Sequence, residues 1–210
     1  MGSHFARKTP QVLSVLLAIS VNAIAQAGEN ARPPAAVGLR RDFVVYLDDR
    51  RVGTHRFEIL ATDGKPAVVN SVARFDVKIL GIRAYRYRHR AHEQWRDGCL
   101  TSLTATTDDN GARSAVDEQL SGCVMTYAYW RPDFLRQEQL LNPQTGKYDA
   151  IKAQSLGRET IRVGKVDLAA DRYRVQTTGR SIDVWYSPQG EWLQLDATVA
   201  GGKTLRYRLP

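Results

Sequence analysis

The chain has 210 residues, a formal net charge of +8, and 43% hydrophobic beside 25% charged residues. That length and apolar content suffice for the core of one ordinary domain, and exclude both a disordered polyelectrolyte and a mini-protein dependent on metals. The basic excess suits a partner with anionic groups, such as lipid headgroups, lipopolysaccharide or polyanions, but the arginines are scattered rather than massed, which favours the reading that the charge only aids solubility.

Arg7 and Lys8 open the chain with a short basic stretch, and residues 12–24 are apolar but for Ser14, Ser20 and Asn22. Ala25-Gln26-Ala27 then supplies a small-x-small cleavage site. The pattern predicts a signal peptide over 1–27 and a periplasmic or secreted protein. The apolar run is short for a bilayer span and polar Gly28-Glu29-Asn30 follows at once, so no transmembrane segment is expected after cleavage. No cysteine follows the run, which argues against a lipid anchor. Removing 27 of the 210 residues leaves 183, and because the segment holds Arg7 and Lys8 and no acid, the charge falls from +8 to +6. Export also takes the protein away from nucleic acid, which is therefore not expected as a partner.

Residues 28–41 contain Pro33-Pro34 and read as a flexible lead-in to a single domain over 42–210. Strand signals begin at Phe43 and Val45, turn at Asp48-Asp49, and return over 52–60. Further strands are predicted over 66–80, 82–95, 99–107 and 113–130, punctuated by Gly64, Gly81, Asp97-Gly98 and Asn110-Gly111. The segment 130–141 prefers helix, with Pro132 early and Phe134, Leu135, Glu138 and Leu141 at helical spacing before Asn142-Pro143 stops it. Strand patterns resume over 148–151, 159–163, 173–177, 182–186, 192–198 and 205–209. About ten strands with one short helix and no strand-helix alternation predict an all-β fold, a curved antiparallel sheet forming a barrel or half-barrel.

Cys99 and Cys123 are the two cysteines, and in an oxidising compartment they read as a disulfide. A three-residue loop Asn110-Gly111-Ala112 would set Asp109 against Arg113 and the two cysteines directly across the ladder. A two-residue Asn110-Gly111 loop would shift the register by one and put them on opposite faces. The alternative is a pair of free or redox-active thiols, but there is no Cys-x-x-Cys.

The most unusual segment is 82–95. Alternation sets Arg83, Tyr85, Tyr87, His89, Ala91, Glu93 and Trp95 on one face, and Arg86, Arg88 and Arg90 with His92 on the other. The first face suits either a ligand cavity lined by Tyr85, Tyr87, His89, Glu93 and Trp95, or a half-polar interior whose groups satisfy one another. Asp183 beside Trp185 forms a second polar-aromatic patch and joins the cavity candidates. The arginine stripe could hold phosphate, or serve as a solvated face that discourages edge pairing. His89 and Glu93 lie roughly 13 Å apart along a strand and cannot act as a dyad, and His89 and His92 point to opposite faces, so no metal site is expected. No nucleophile elbow, phosphate-binding loop or dinucleotide fingerprint is present, and no catalytic residue or cofactor is assigned.

Several segments resemble a family of exported bacterial proteins known only as a domain of unknown function. They are Tyr46-Leu47-Asp48, Val52-Gly53-Thr54-His55-Arg56-Phe57, Tyr85-Arg86-Tyr87 leading to Glu93-Gln94-Trp95-Arg96-Asp97-Gly98, Tyr129-Trp130-Arg131-Pro132, Leu141-Asn142-Pro143-Gln144-Thr145-Gly146, Ile182-Asp183-Val184-Trp185-Tyr186 and the closing Leu205-Arg206-Tyr207-Arg208-Leu209-Pro210. The resemblance covers nearly all of the chain after residue 40 and implies no activity. More distantly, the strand order is similar to periplasmic lipoprotein carriers (LolA/LolB-like), whose curved sheet wraps a hydrophobic cavity; that implies a fold only, and those carriers use more helix than this chain offers. The expected function is non-enzymatic binding or carriage of a lipid or other amphipathic ligand. The alternatives are an envelope hydrolase using His89 or Glu93 as acid or base, and a structural or interaction module with a filled interior.

Overall fold

The computed structural model describes residues 37–62 and 64–210, so the predicted signal peptide and the lead-in up to residue 36 lie outside the described residues. The first strand starts earlier than expected: β1 (Val37–Leu47) takes in residues 37–41, assigned above to the lead-in. Hairpins then carry the chain through β2 (Arg50–Thr62), β3 (Lys65–Ile79), β4 (Ile82–Arg96), β5 (Cys99–Asp109) and β6 (Ala112–Val124). A connection over 125–151 follows, holding a short 3-10 turn (Pro132–Arg136) and a small pair, β7 (Gln139–Leu141) with β8 (Tyr148–Ala150). After it come β9 (Lys152–Val163), β10 (Val166–Thr177), β11 (Arg180–Tyr186), β12 (Trp192–Thr198) and β13 (Thr204–Arg208).

The eleven strands of the main sheet are antiparallel neighbours in the order β6-β5-β4-β3-β2-β1-β13-β12-β11-β10-β9. Two meanders are therefore spliced through β1 and β13, by the pairs from Val44 with Arg208 to Leu47 with Leu205. The fold is all-β and open: β6 and β9 remain edges. It is also curled. Asp109 of β5 and Thr177 of β10 line one cavity, yet eight strand steps separate them, roughly 40 Å on a flat sheet.

Three hairpins turn on residue pairs that both have positive φ, Leu80-Gly81, Asp97-Gly98 and Asn110-Gly111. Paired positive φ is the type I′ geometry, whose twist matches the flanking strands. Asp and Asn enter the left-handed region readily, whereas Leu80 does so at φ 51 against its steric preference.

The core sits on the concave side and is filled from two directions. Sheet residues such as Phe43, Phe57, Val184, Trp192 and Leu195 point inward, and the connection adds Met125, Ala128, Phe134, Leu140 and Leu141. The Trp192 ring lies 4.2 Å from Phe43 and 5.1 Å from Phe57, the latter edge-on. The helix expected over 130–141 is only the 3-10 turn, because Gln137 returns to an extended conformation. Leu140 and Leu141 then enter β7, where the Leu141 N–H donates to the Met125 carbonyl at 2.8 Å. Their apolar spacing reflects insertion into the core rather than a helical face. Likewise the strand expected over 113–130 stops at Val124, where the connection leaves the sheet.

The disulfide Cys99–Cys123 is present, with its Cα atoms 4.8 Å apart. The loop, however, is the two-residue one: Asp109 faces Ala112 and Asp108 faces Arg113. The register shifts between Leu100 and Ser102, so that Ser102 pairs with Gln119 but Leu100 pairs with Val124. The extra residues on β6 include Gly122 at φ 83, and this irregularity brings Cys123 back to Cys99. Replacing both cysteines with Ser should lower stability by about 2–4 kcal/mol in denaturant melts, since the bridge closes a loop of sequence separation 24. Unchanged stability would show that the irregular β6 register holds the hairpin without it.

Candidate functional site

The register determines what faces the concavity. One row across the sheet runs Phe43, His55, Ala73, His89, Thr107, and another runs Phe75, Tyr87, Asp109. Between the large residues sit Ser71 and Ala91, both buried and both on the wall of the space they leave. Small side chains at the middle of a curled sheet leave space, and the space is a cavity of about 660 Å³. That is the size of a small-ligand site. Phe57, Phe75, Val77, Ile182, Leu195 and Leu205 supply apolar wall, while Tyr85, Tyr87, Tyr127, Tyr129 and Tyr207 supply aromatic wall with hydroxyls.

Of the residues picked from sequence, Tyr85, Tyr87, His89 and Glu93 lie on this wall. Trp95 shares their strand face but is packed in the core, edge-on to Trp130 at 5.4 Å, and does not line the cavity. Arg83 is not on that face either. Tyr85 pairs with Val77 but Arg83 with Lys78, so Ala84 is an extra residue that reverses the alternation. Ala84 faces the cavity, and Arg83 reaches Asp76 at 3.1 Å.

Asp183 and Trp185 require a correction. In β11 it is Ile182 that lines the cavity and Val184 and Tyr186 that join the main core, so Asp183 and Trp185 point to the convex side. There Asp183 takes Arg172 at 2.5 Å and Arg174 at 2.7 Å. Trp185 packs with Ile161, Ala170 and Leu193, with the Arg172 guanidinium 4.9 Å from its ring. The arginine stripe is also largely paired: Arg86 with Asp108 at 2.6 Å and Arg88 with Asp76 at 2.7 Å. On the same face His92 meets Asn70 at 2.8 Å.

Burial pushes the acid and the imidazoles inside toward their uncharged forms. Trp95 Nε1–H donates to Glu93 Oε2 at 3.0 Å and the Thr126 hydroxyl donates to Oε1 at 3.1 Å. Burial nevertheless dominates these bonds and pushes the Glu93 carboxyl up to about 7. His89 Nδ1 meets the Thr107 hydroxyl at 2.9 Å, and burial lowers its ring to about 4. His55, on β2, is lowered to about 3 by burial and, secondarily, by His89. Its Nδ1 lies 3.2 Å from the Tyr207 hydroxyl, while Nε2 is buried with no partner. If the Tyr207 O–H donates to Nδ1, the proton on Nε2 is a donor without an acceptor.

At the rim exposed charges appear, the Asp109 carboxylate and two cations. Arg180, at the start of β11, and Lys203, just before β13, both line the cavity. Burial pushes the hydroxyls of Tyr87, Tyr127 and Tyr129 up, and the Arg180 charge is near enough to all three to oppose it. Alternation along β2 and β13 could have revealed His55, Phe57 and Tyr207. Tyr127 and Tyr129 come from an aperiodic segment and carry no such signal. Among the described residues, no group of three or more His, Cys, Asp or Glu is arranged to hold a metal ion, and no helix is long and apolar enough to cross a membrane.

A family model described as a domain of unknown function (DUF6134) matches residues 43–210. No curated protein matches the chain.

These buried groups make stability depend on pH with competing signs. Between about pH 4.5 and 6.5, unfolding lets His55 and His89 take up protons they cannot hold when folded, and makes Glu93 release one it holds only when folded. Net uptake is one proton, so stability should rise with pH across this window at about 1.4 kcal/mol per unit. Glu93→Gln removes the opposing release and should roughly double that slope in denaturant melts. Equal slopes for the two proteins would mean that Glu93 is ionised in the folded state.

Proposed function

The chain belongs to this family of unknown function, so its role has to be argued from its own residues, and we propose that it is a non-enzymatic binding or carrier protein for an amphipathic ligand. The observation that carries the reading is the cavity, large enough for an acyl or isoprenoid chain, apolar and aromatic within, with two cations at its rim. An elongated ligand would lay its tail against Phe57, Phe75, Ile182 and Leu195 and leave an anionic head beside Arg180 and Lys203. The predicted signal peptide would place this work in the bacterial envelope, outside the cytoplasm.

Two features weigh against the alternatives. Glu93 is tied on each oxygen, by Trp95 and by Thr126, which anchors its carboxyl to the core beside the cavity rather than aiming it at a nucleophile or substrate. His89 is a weakened base held by Thr107. A purely structural module would have no reason to keep Ser71 and Ala91 small beneath an open space.

Native mass spectrometry of the protein purified from cells should show a co-purifying lipid-like mass, and envelope lipids should change the intrinsic tryptophan emission. Ala197→Phe, which projects an aromatic ring into the cavity from β12, should weaken binding at least tenfold with stability retained. Absence of any bound ligand and of any emission change across an envelope-lipid panel would sink the proposal. Arg180→Gln should weaken an anionic single-chain amphiphile about tenfold while leaving its neutral analogue unaffected. Equal losses for both would remove the anionic head from the reading.

A further inference from the structure

The β3–β4 hairpin outruns its neighbours in the sheet. β3 pairs with β2 only as far as Phe75, and β4 with β5 only as far as Tyr87. Their mutual pairing continues to Ile79 with Ile82. Four residues of each strand or more thus project past the sheet, on the order of 13 Å. An isolated two-stranded ribbon is marginal in water. This one is braced at its base, where Asp76 takes both Arg83 and Arg88 and Asp108 takes Arg86.

The tip of this arm is apolar and bare. Ile79 is 57% exposed, Leu80 97% and Ile82 74%. Leu80 occupies the turn position that Asp97 and Asn110 fill in the two sister hairpins, with the same positive φ. Backbone geometry favours Asn or Asp there, so the turn itself does not explain a leucine. Nor does packing, because the side chain touches water. Behind the tip stand Lys78 and Arg83, one residue in from Ile79 and Ile82 on either strand. On the inner side Val77, Ile79 and Ala84 are cavity wall, so apolar surface runs unbroken from the tip into the cavity.

We propose that the Ile79–Ile82 tip docks this protein on an anionic lipid surface, inserting its three aliphatic side chains while Lys78 and Arg83 meet the headgroups. The patch is too small for a protein partner, since stable protein interfaces bury about 1,200 Å² or more and use directional groups. Ile79, Leu80, Gly81 and Ile82 offer no side-chain hydrogen bond. A bilayer asks for neither, because aliphatic side chains partition into it without directional bonds and cations beside them are drawn to anionic lipids. The inference goes beyond ligand binding in the cavity and stands if the cavity proves empty.

The test is flotation of the purified protein with vesicles of phosphatidylglycerol, compared with phosphatidylcholine. The wild-type chain should float with the anionic vesicles and several-fold less with the neutral ones. Leu80→Asn combined with Ile82→Thr should cut flotation at least tenfold; Asn suits the turn and Thr suits the strand, so circular dichroism and the disulfide should be unchanged. Leu80→Trp should show a blue shift on addition of phosphatidylglycerol vesicles beyond any that the four tryptophans of the wild-type chain show under the same conditions. Equal flotation of the double variant, no flotation of the wild type, or an unshifted emission from the Leu80→Trp variant would each overturn the proposal. Equal binding to both vesicles would remove Lys78 and Arg83 from it. A protein cross-linked from position 80, without vesicle binding, would overturn it in favour of a protein partner.

Discussion

The path of the connection between β6 and β9 is the constraint on which the interior depends. Those strands are the two free edges of an eleven-stranded sheet, yet they are joined by residues 125–151 alone. Because the sheet curls, the connection runs through the concavity, and a buried segment must satisfy its backbone. It does so with the β7–β8 pair, the 3-10 turn and bonds such as Ile151 N–H to the Glu138 carbonyl at 2.8 Å. The Tyr186 hydroxyl adds a bond to the Tyr129 carbonyl at 2.7 Å from the far side of the sheet. Phe134, Leu140 and Leu141 plug one end of the concavity, and what they do not reach is the cavity.

The electrostatics follow from that enclosure. Water is excluded around Glu93, His55 and His89, and each group is shifted toward its neutral form by the same cause, loss of hydration. Carboxylates on the convex side behave in the opposite way. Asp183 stays below the usual carboxylate range because Arg174 and Arg172 together outweigh its partial burial. The molecule thus separates a lumen whose acid and imidazoles are pushed toward neutrality from a rim that carries Arg180, Lys203 and Asp109, and from a convex face laced with ion pairs.

Much of this could be read from residue patterns, and the failures have physical causes. Alternation located the wall residues from Tyr85 to Glu93, then failed at Arg83 because Ala84 inserts an extra residue opposite Val77 and Lys78. It paired Asp183 with Trp185 correctly but could not tell which way β11 faces, since both sides of that strand bury apolar residues, Val184 within and Trp185 itself without. The cysteine pairing was foreseen through a register that the hairpin does not have. Two errors cancelled, a loop one residue too long and an irregularity at Gly122 that no local signal announces. The connection was least legible, because a segment that plugs a concavity follows neither the period of a helix nor that of a strand.

The splice between β1 and β13 has a consequence for how the chain reaches this state. Every hairpin can zip from its own turn, but Val44 must find Arg208, roughly 160 residues away. The strands at the centre of the sheet are therefore the last to meet, and until they do each meander carries a naked edge and an uncovered apolar face. Folding should show fast local steps followed by a slow one limited by this closure. During that interval β1 and β13 are the edges most exposed to pairing with another copy of the chain.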